Sequence, residues 1–384
     1  MQIAVETWRA SSPLRSERGR AENARNRFVR ATVSITHMPN PLQRTPPAGK
    51  ASLHVSLIAL PDAMVSTLAG LYDAMNAPAL MGLIDPSAAT APFQVEIVGE
   101  RAGPMTLASG VPFTVQRSID TLNATDIVIV PSMLLRGPAW VKGRYPELVA
   151  WLQRMHARGA VLCSACSGVF LLAETGVFDG RDATVHFVYQ RQFAQAYPQV
   201  PIHPDRVLVI SGAREELVSS GASTTWHDMV LYLIARFAGA TDAQAVARLY
   251  ALQWHQDGLA PYITFEGKRD HGDAEIEAAQ RWLAAHFSIA NPVDEMIKRS
   301  ELAERTFKRR FTSATGLPPI AYVQRLRVED AKKRLERTDH SVDDISWRVG
   351  YEDAAFFRRL FKRTTGMAPG AYRKRFRIPE FARR

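Results

Sequence analysis

The sequence predicts two architectures in one chain: an open, mostly parallel α/β sheet with helices on both faces, followed by an all-α domain of two helix-turn-helix units. Three observations carry this. From His54 to Phe237, short apolar runs alternate with amphipathic stretches, as buried parallel strands joined by helices do. Near the C-terminal end one pattern is written twice, fifty residues apart and without a gap: F-T-S-A-T-G-L-P-P-I-A-Y-V-Q-R-L-R from Phe311 and F-K-R-T-T-G-M-A-P-G-A-Y-R-K-R-F-R from Phe361. A fixed internal period marks duplicated supersecondary units. Finally, the net charge of +10 divides into +6 over residues 1–50, −5 over 51–273 and +9 over 274–384. A mildly acidic body therefore carries a basic module, which suits a nucleic-acid partner engaged by one domain.

Residues 1–50 are polar, arginine-rich and end in P-N-P-L-Q-R-T-P-P. Without an apolar period they read as a disordered basic tail, and Met38 just ahead of the ordered region is an alternative translation start. No apolar run reaches the roughly 18 residues a membrane helix needs, and no signal peptide is visible. Two cysteines in 384 residues give no disulfide framework. The expectation is a cytoplasmic protein.

The runs H-V-S-L-I-A-L, F-Q-V-E-I-V, D-I-V-I-V-P and A-V-L-C read as buried strands, and Met64 to Asn76, Pro146 to Ala157, Gly168 to Thr175 and Ser223 to Phe237 as helices. In such sheets ligands sit at the carboxyl ends of the strands. That points to Leu60-Pro61-Asp62, to Val130-Pro131-Ser132 and to Cys163 through Gly168. In the last of these, strand A-V-L-C runs into S-A-C-S-G and then into a helix. A tight strand-to-helix turn with Cys166 at its tip and glycine two residues on is the layout of a nucleophile elbow. A helix N-terminus would lower the thiol pKa; a small residue at a close strand–helix crossing is the ordinary alternative. Cys163 and Cys166 also spell C-x-x-C, but two cysteines fall short of a structural zinc site, so no metal and no cofactor are expected. His203, His227, His255 and His271 are scattered and read as surface or packing residues, and Trp226, Trp254 and Trp282 as core or interface residues. Ala240 to Trp254 reads as a helix, and the glycine-punctuated residues 256–273 as a linker that allows some independent motion. The domains are then 51–255 and 274–384.

In each repeat a short helical segment (Met296-Ile297; Ile345 with Val349) precedes a turn and a basic helix, Ala303 to Ser313 or Asp353 to Thr364. Phe307/Phe311 and Phe357/Phe361, four residues apart, face inward. Gly316 and Gly366 stop these helices and the following prolines keep them from resuming. Arg305, Lys308 and Arg309 share one side of the first helix; Arg358, Arg359, Lys362 and Arg363 crowd the second. Guanidinium groups pair with guanine edges, and cations of both kinds neutralise phosphates.

From about Asp273 to Phe376 the chain resembles the AraC/XylS DNA-binding domain, on A-E-R-T-F-K-R-R-F-T-S-A-T-G-L-P-P-I-A-Y with R-L-R-V-E-D-A-K-K-R-L, and on V-G-Y-E-D-A-A-F-F-R-R-L-F-K-R-T-T-G-M-A-P-G-A-Y-R. The resemblance implies a rigid helix, Pro319 to Arg337, joining units whose recognition helices enter successive major grooves. It places base contacts at Arg305, Lys308, Arg309, Ala354, Ala355, Arg358 and Arg359, with phosphates as the alternative for the last two; Lys362, on the same basic helix, reads as a phosphate contact. The two alanines offer only methyl contact, so direct readout there is thin.

From about Ser52 to Gly239 the chain resembles the PfpI-type class I glutamine-amidotransferase-like domain, a flavodoxin-like fold, on D-I-V-I-V-P-S, A-C-S-G-V-F-L-L-A-E-T-G-V-F-D-G-R-D-A-T-V-H-F, P-D-R-V-L-V-I-S-G and S-S-G-A-S-T-T-W-H-D-M-V-L-Y-L-I. The pairing of these domains is similar to the GlxA-like regulators. The resemblance implies Cys166 as elbow cysteine, His186 as its histidine and Asp62 as a shortened carboxylate, with Asp182 and Asp228 as candidate third partners. It implies a sensor rather than an enzyme. Cys166, Ser167, His186 and Ser132 would line a pocket for a small effector such as an amino acid or quaternary amine. The expected partners are promoter double-stranded DNA, RNA polymerase if the protein activates, and a second copy in a homodimer; when bound to DNA the protein associates with the nucleoid. A Cys-His hydrolase or amidase carrying a DNA-binding domain, and a redox sensor using Cys166, are the alternatives.

Overall fold

The structure is a computed structural model that describes residues 52–84, 91–137, 139–269, 271–379 and 382. The expected disordered tail and the start at Met38 lie outside the described residues. The first half runs β1 (Leu53–Ile58), α1 (Val65–Ile84), β2 (Phe93–Gly99), β3 (Gly103–Thr106), β4 (Pro112–Val115), β5 (Arg117–Ser118), β6 (Ile127–Val130), α2 (Pro146–Ala157), β7 (Val161–Ala165), α3 (Val169–Glu174), α4 (Gln190–Ala196), β8 (Leu208–Ser211), β9 (Leu217–Ser220), α5 (Trp226–Phe237) and α6 (Ala240–Leu249). Seven strands form one sheet in the order β5-β2-β1-β6-β7-β9-β8. Every neighbouring pair is parallel except β8 with β9. β6, at the centre, is buried at all four residues, which is why it reads as an unbroken apolar run rather than an alternating one. β3 and β4 form a separate antiparallel hairpin. Helices α1, α5 and α6 pack together as one layer, and α2 with α3 as the other.

Three boundaries differ from the sequence reading. α1 continues through Pro78 to Ile84 instead of stopping at Asn76; a single proline removes one helical donor, and the buried face of Leu68, Leu71, Ala74 and Met75 outweighs that loss. α5 starts at Trp226, because the Thr225 hydroxyl closes a turn with Ala222, accepting from its N–H and donating to its carbonyl, both at 2.9 Å. α6 ends at Leu249, and Ala251 then takes a positive φ of 52°. Trp226 packs on Gly70, but Trp254 is 41% exposed and is not a core residue.

The second half is helical: α7 (Ala274–His286), α8 (Pro292–Arg299), α9 (Glu304–Thr315), α10 (Pro319–Arg337), α11 (Val342–Arg348), α12 (Ala354–Thr365) and α13 (Pro369–Phe376). The duplication is visible in three dimensions. Gly316 and Gly366 cap α9 and α12 in the left-handed conformation, with φ of 78° and 79°, as only glycine does without strain. Each unit has its own core. Met296, Phe307, Phe311 and Tyr322 belong to the first, and Ile345, Phe357, Phe361 and Tyr372 to the second. α10 serves both, giving Val323 to one and Val328, Ala331 and Leu335 to the other.

Between these two stretches of α10 lies Arg327, only 6% exposed. Its guanidinium donates to the backbone carbonyls of Phe287 (2.7 Å) and Ile289 (2.7 Å) beyond α7 and of Gly350 (2.8 Å) before α12. The Tyr351 ring lies 4.8 Å from it. Gly350 has a φ of 94°, and a Cβ there would fall 2.4 Å from the Ser288 carbonyl oxygen and 2.9 Å from the guanidinium.

Residues 256–273, read as a mobile linker, are instead pinned along their length. Leu259 is 1% exposed, and its N–H donates to the Asp205 carbonyl at 2.8 Å. Asp257 pairs with Arg375 at 2.7 Å, and the Tyr262 ring meets Phe376 edge-on at 5.0 Å. The buried Lys332 ammonium donates to the Ile263 carbonyl at 2.7 Å, and Gln280 donates to that of Lys268 at 3.0 Å.

A lysine at position 327 cannot reach three divergent carbonyls with one planar fork. Arg327→Lys is expected to destabilise the helical half by about 3 kcal/mol, measured as a lowered urea midpoint; an unchanged midpoint would show that the buried fork is dispensable.

Candidate functional site

β7 delivers the chain to the carboxyl end of the sheet, and the turn Cys166–Gly168 follows at once as one turn of 3-10 helix. Cys166 has a positive φ of 55°, a conformation that costs a non-glycine residue about 1–3 kcal/mol. Gly168 explains how close the turn packs: a Cβ there would lie 2.6 Å from the Val130 carbonyl oxygen and 2.7 Å from that of Pro131. The strained elbow expected from sequence is therefore present. Its surroundings are those of a buried thiol. Cys166 is 3% exposed, and burial pushes its thiol pKa up, although the Ser223, Ser167 and Ser132 hydroxyls pull the other way. The following helix has only six residues, too few to present much dipole. Cys163, in β7, is fully buried and pushed up to about 12 by desolvation.

The catalytic partners named from sequence do not assemble. Cys166 Sγ lies 3.6 Å from Ser223 Oγ, and no hydrogen bond joins it to His186 among the described residues. His186 Nδ1 accepts from the Val188 N–H at 3.2 Å, capping a short 3-10 turn, and burial lowers its pKa. Asp62 is buried and held by the Tyr145 hydroxyl (2.7 Å) and Arg144 (2.6 Å). Asp182 pairs with His203 at 2.9 Å, and Asp228 with His255 at 2.7 Å, so neither serves His186.

Beside the elbow is a cavity of about 200 Å³ lined by His186, Phe187, Ala222, Ser223, Thr224, His255, Leu259 and Tyr262. Of the four pocket residues expected, only His186 lines it. Cys166 stands behind Ser223. Ser167 is fully buried, donating to the Met133 carbonyl at 2.6 Å and accepting from its N–H at 2.8 Å. The Ser132 hydroxyl is buried near the sulfur without a hydrogen bond of normal geometry. Sequence reasoning missed Ser223, His255, Leu259 and Tyr262. The signal available for the last was an aromatic and an aliphatic residue set in an otherwise polar linker. His227 and His255, read as scattered, converge on Asp228.

On the helical half, Arg305, Lys308 and Arg309 are exposed on α9, and Arg358, Arg359, Lys362 and Arg363 on α12. Arg310 is different: it forms a two-pronged pair with Asp273, at 2.9 and 2.7 Å, and is structural. Lys308 pairs with Glu304, Arg358 with Asp343, and Arg359 with Asp353 at 4.0 Å. Arg305, Arg309, Lys362 and Arg363 have no ion-pair partner among the described residues. At the start of α12, Ala354 is half-buried and Ala355 exposed. Phe356 beside them, 36% exposed, is an apolar surface residue the sequence reading passed over.

Residues 296–375 match the helix-turn-helix domain family and residues 68–236 the DJ-1/PfpI family. HTH-type transcriptional regulator CdhR of Pseudomonas aeruginosa is 25% identical over 278 residues, covering 69% of this chain and 77% of that protein. HTH-type transcriptional regulator GbdR of the same species is 23% identical over 261 residues, covering 65% of this chain and 66% of that protein. The chain is an AraC-type transcriptional regulator with a DJ-1/PfpI domain. A crystal structure of an AraC family transcriptional regulator from Pseudomonas putida, 20% identical, covers 52% of this chain and 99% of its own with a TM-score of 0.43.

In this AraC-type regulator DNA binding belongs to the helix-turn-helix half, and the cavity lies between the α/β half and the linker. No described helix is long and apolar enough to cross a membrane. Because burial raises the Cys166 pKa, its thiolate fraction at neutral pH is smaller than that of a free thiol. Alkylation of Cys166 by iodoacetamide at pH 7, followed by peptide mass spectrometry, is expected to be slower than that of glutathione and to accelerate only above the ordinary thiol range of about 8.5. Rapid alkylation at pH 7 would restore the activated thiol.

Proposed function

We infer that this AraC-type regulator holds a small effector in the cavity beside Cys166 and that the linker passes its occupancy to the DNA-binding half. The observation that supports this reading is the shared wall. His255, Leu259 and Tyr262 line the cavity, while the same stretch pairs Asp257 with Arg375 and Tyr262 with Phe376 on α13. A ligand shifts a regulator only by binding its two arrangements unequally, and a wall that belongs to both halves makes unequal binding a geometric consequence. A volume of about 200 Å³ is below the roughly 300–1,000 Å³ of drug-sized pockets. It suits a metabolite the size of an amino acid or a small quaternary amine, set against Phe187, Tyr262 and two imidazoles.

Sensing rather than turnover is favoured by the buried thiol, by His186 facing a backbone N–H, and by Asp62 already engaged by Arg144 and Tyr145. The same burial weighs against a peroxide sensor, which needs an accessible thiolate. On DNA, α9 and α12 occupy successive major grooves of the promoter. Arg305 and Arg309 read base edges, Lys308, Arg358, Arg359 and Lys362 serve phosphates, and Ala354 and Ala355 give methyl contact. The protein acts as a homodimer, in the cytoplasm and on the nucleoid, and engages RNA polymerase where it activates.

The deciding experiment is a thermal-shift screen of the full chain against amino acids, amines and small aldehydes, with mass spectrometry of every hit. Reversible stabilisation by an unchanged compound is the expected result; conversion of the compound, abolished by Cys166→Ser, would replace the sensor with an enzyme. Phe376→Ala is expected to leave the effector-induced thermal shift in place while removing the effector's influence on operator affinity. Arg309→Ala should cost about 1–3 kcal/mol on the operator and relax preference at one base pair. Lys362→Ala should weaken binding to all sequences and flatten the salt dependence by about one unit of slope, which an anisotropy titration at several salt concentrations separates from the first case.

A further inference from the structure

We propose that His227, Asp228 and His255 bind a divalent cation of the zinc class, clamping the start of the linker onto α5. His227 and Asp228 stand in the first turn of α5, and the chain returns to the same place with His255. The donor atoms of the three residues all lie within 4.8 Å of one another. His227 Nε2 and His255 Nδ1 both face Asp228 Oδ2, at 3.4 and 2.7 Å, with the two rings stacked 5.1 Å apart.

The Asp228 side chain is 2% exposed, and the two histidines are its only ion-pair partners among the described residues. A carboxylate so removed from water requires a compensating charge. One histidine would suffice to fasten the linker, since His255 already engages both carboxylate oxygens, through its backbone N–H at 2.9 Å and its ring at 2.7 Å. The second imidazole stands 3.4 Å from the same oxygen while its Nε2 donates to the Gln253 carbonyl at 3.0 Å, which brings a fourth donor to the cluster.

The spacing fits. A tetrahedral ion about 2.0 Å from each donor sets neighbouring donors about 3.3 Å apart. The His227 separation of 3.4 Å already matches, and the His255 contact must open by about half an ångström, a small ring rotation. The Gln253 carbonyl oxygen, 3.0 Å from His227 Nε2, offers a further oxygen donor. His255 borders the cavity, which gives water or a ligand group access to a remaining position. Two imidazoles and a carboxylate select ions of the zinc, cobalt or nickel type over magnesium and calcium, which prefer oxygen. The bound ion would hold Gln253 to His255 against α5, at the head of the stretch that continues to Asp257 and Tyr262. The site rests on this geometry alone and stands or falls apart from the effector reading.

The test uses the full chain with any affinity tag removed. Titration with Co²⁺, followed by its visible absorption, is expected to saturate at one ion per chain and to be displaced by Zn²⁺. His227→Gln and His255→Gln should each lose stoichiometric binding, while His203→Gln, at the surface pair with Asp182, should keep it. X-ray absorption of the zinc-loaded wild type gives a readout that no variant's folding can disturb: nitrogen and oxygen neighbours at about 2.0–2.1 Å with imidazole scattering support the site. Absence of saturable binding, binding unchanged in both variants, or a sulfur neighbour at about 2.3 Å, which would move the ion to a cysteine, would each overturn it.

Discussion

The geometry of the DNA-binding half depends on one buried cation without a counter-ion at hydrogen-bond distance. Arg327 leaves water with only carbonyl oxygens around its fork: Phe287 and Ile289 from the first unit and Gly350 from the second. A desolvated guanidinium is costly unless its donors are filled, so the arrangement is stable only with both units in place. That converts a local hydrogen-bond requirement into a constraint on two modules. Each unit has its own aromatic core and could tilt about α10 independently; the fork ties the end of one to the turn of the other. Gly350 completes the constraint, since any side chain there would meet the Ser288 carbonyl and the guanidinium at once. A separation of α9 and α12 fixed before DNA arrives spares the ordering cost that binding would otherwise carry.

The same device, a buried polar side chain answering backbone carbonyls, recurs along the linker. Lys332 on α10 holds the Ile263 carbonyl and Gln280 on α7 holds that of Lys268. A segment whose composition is that of a flexible tether is thereby laid into a groove. Apolar contacts do the rest, with Leu259 seated at Gly221, where a Cβ would come within 2.6 Å of its side chain. Polar composition therefore misled the reading of mobility: the residues that fix the linker belong to α7, α10, α13 and the loop at Asp205, distant from it in sequence.

What was legible follows from range. β6 and most of β7 are continuous apolar runs, β1 and β2 alternate apolar with polar residues, and α9, α10 and α12 carry glycine or proline punctuation with aromatic spacing, so local pattern sufficed. β5 has two residues and β9 is half serine; their strand character comes from neighbours, which a window along the chain cannot see. The elbow was legible because its geometry is set by a few consecutive residues. The cavity was not, because one wall is the elbow's neighbourhood and the other arrives from the linker. Asp228 and His255 illustrate the limit: 27 residues apart in sequence, they carry no spacing motif and meet only because α5 and the linker fold back on each other.

The elbow keeps its strained backbone while its thiol, imidazole and carboxylate each have other neighbours. The positive φ at Cys166 is sustained by packing, since Gly168 sits against the carbonyls of Val130 and Pro131 and the surrounding core admits no alternative path. Reactivity needs more than this: an exposed sulfur, a base within reach and a carboxylate free to orient it. Here the sulfur is covered, the imidazole of His186 answers a backbone N–H, and Asp62 is bound to Arg144 and Tyr145. Each of these contacts is satisfied within the fold. A cavity wall that continues into the helical half is the observation on which the sensing proposal rests, because a ligand touching both sides can favour one arrangement of them over another.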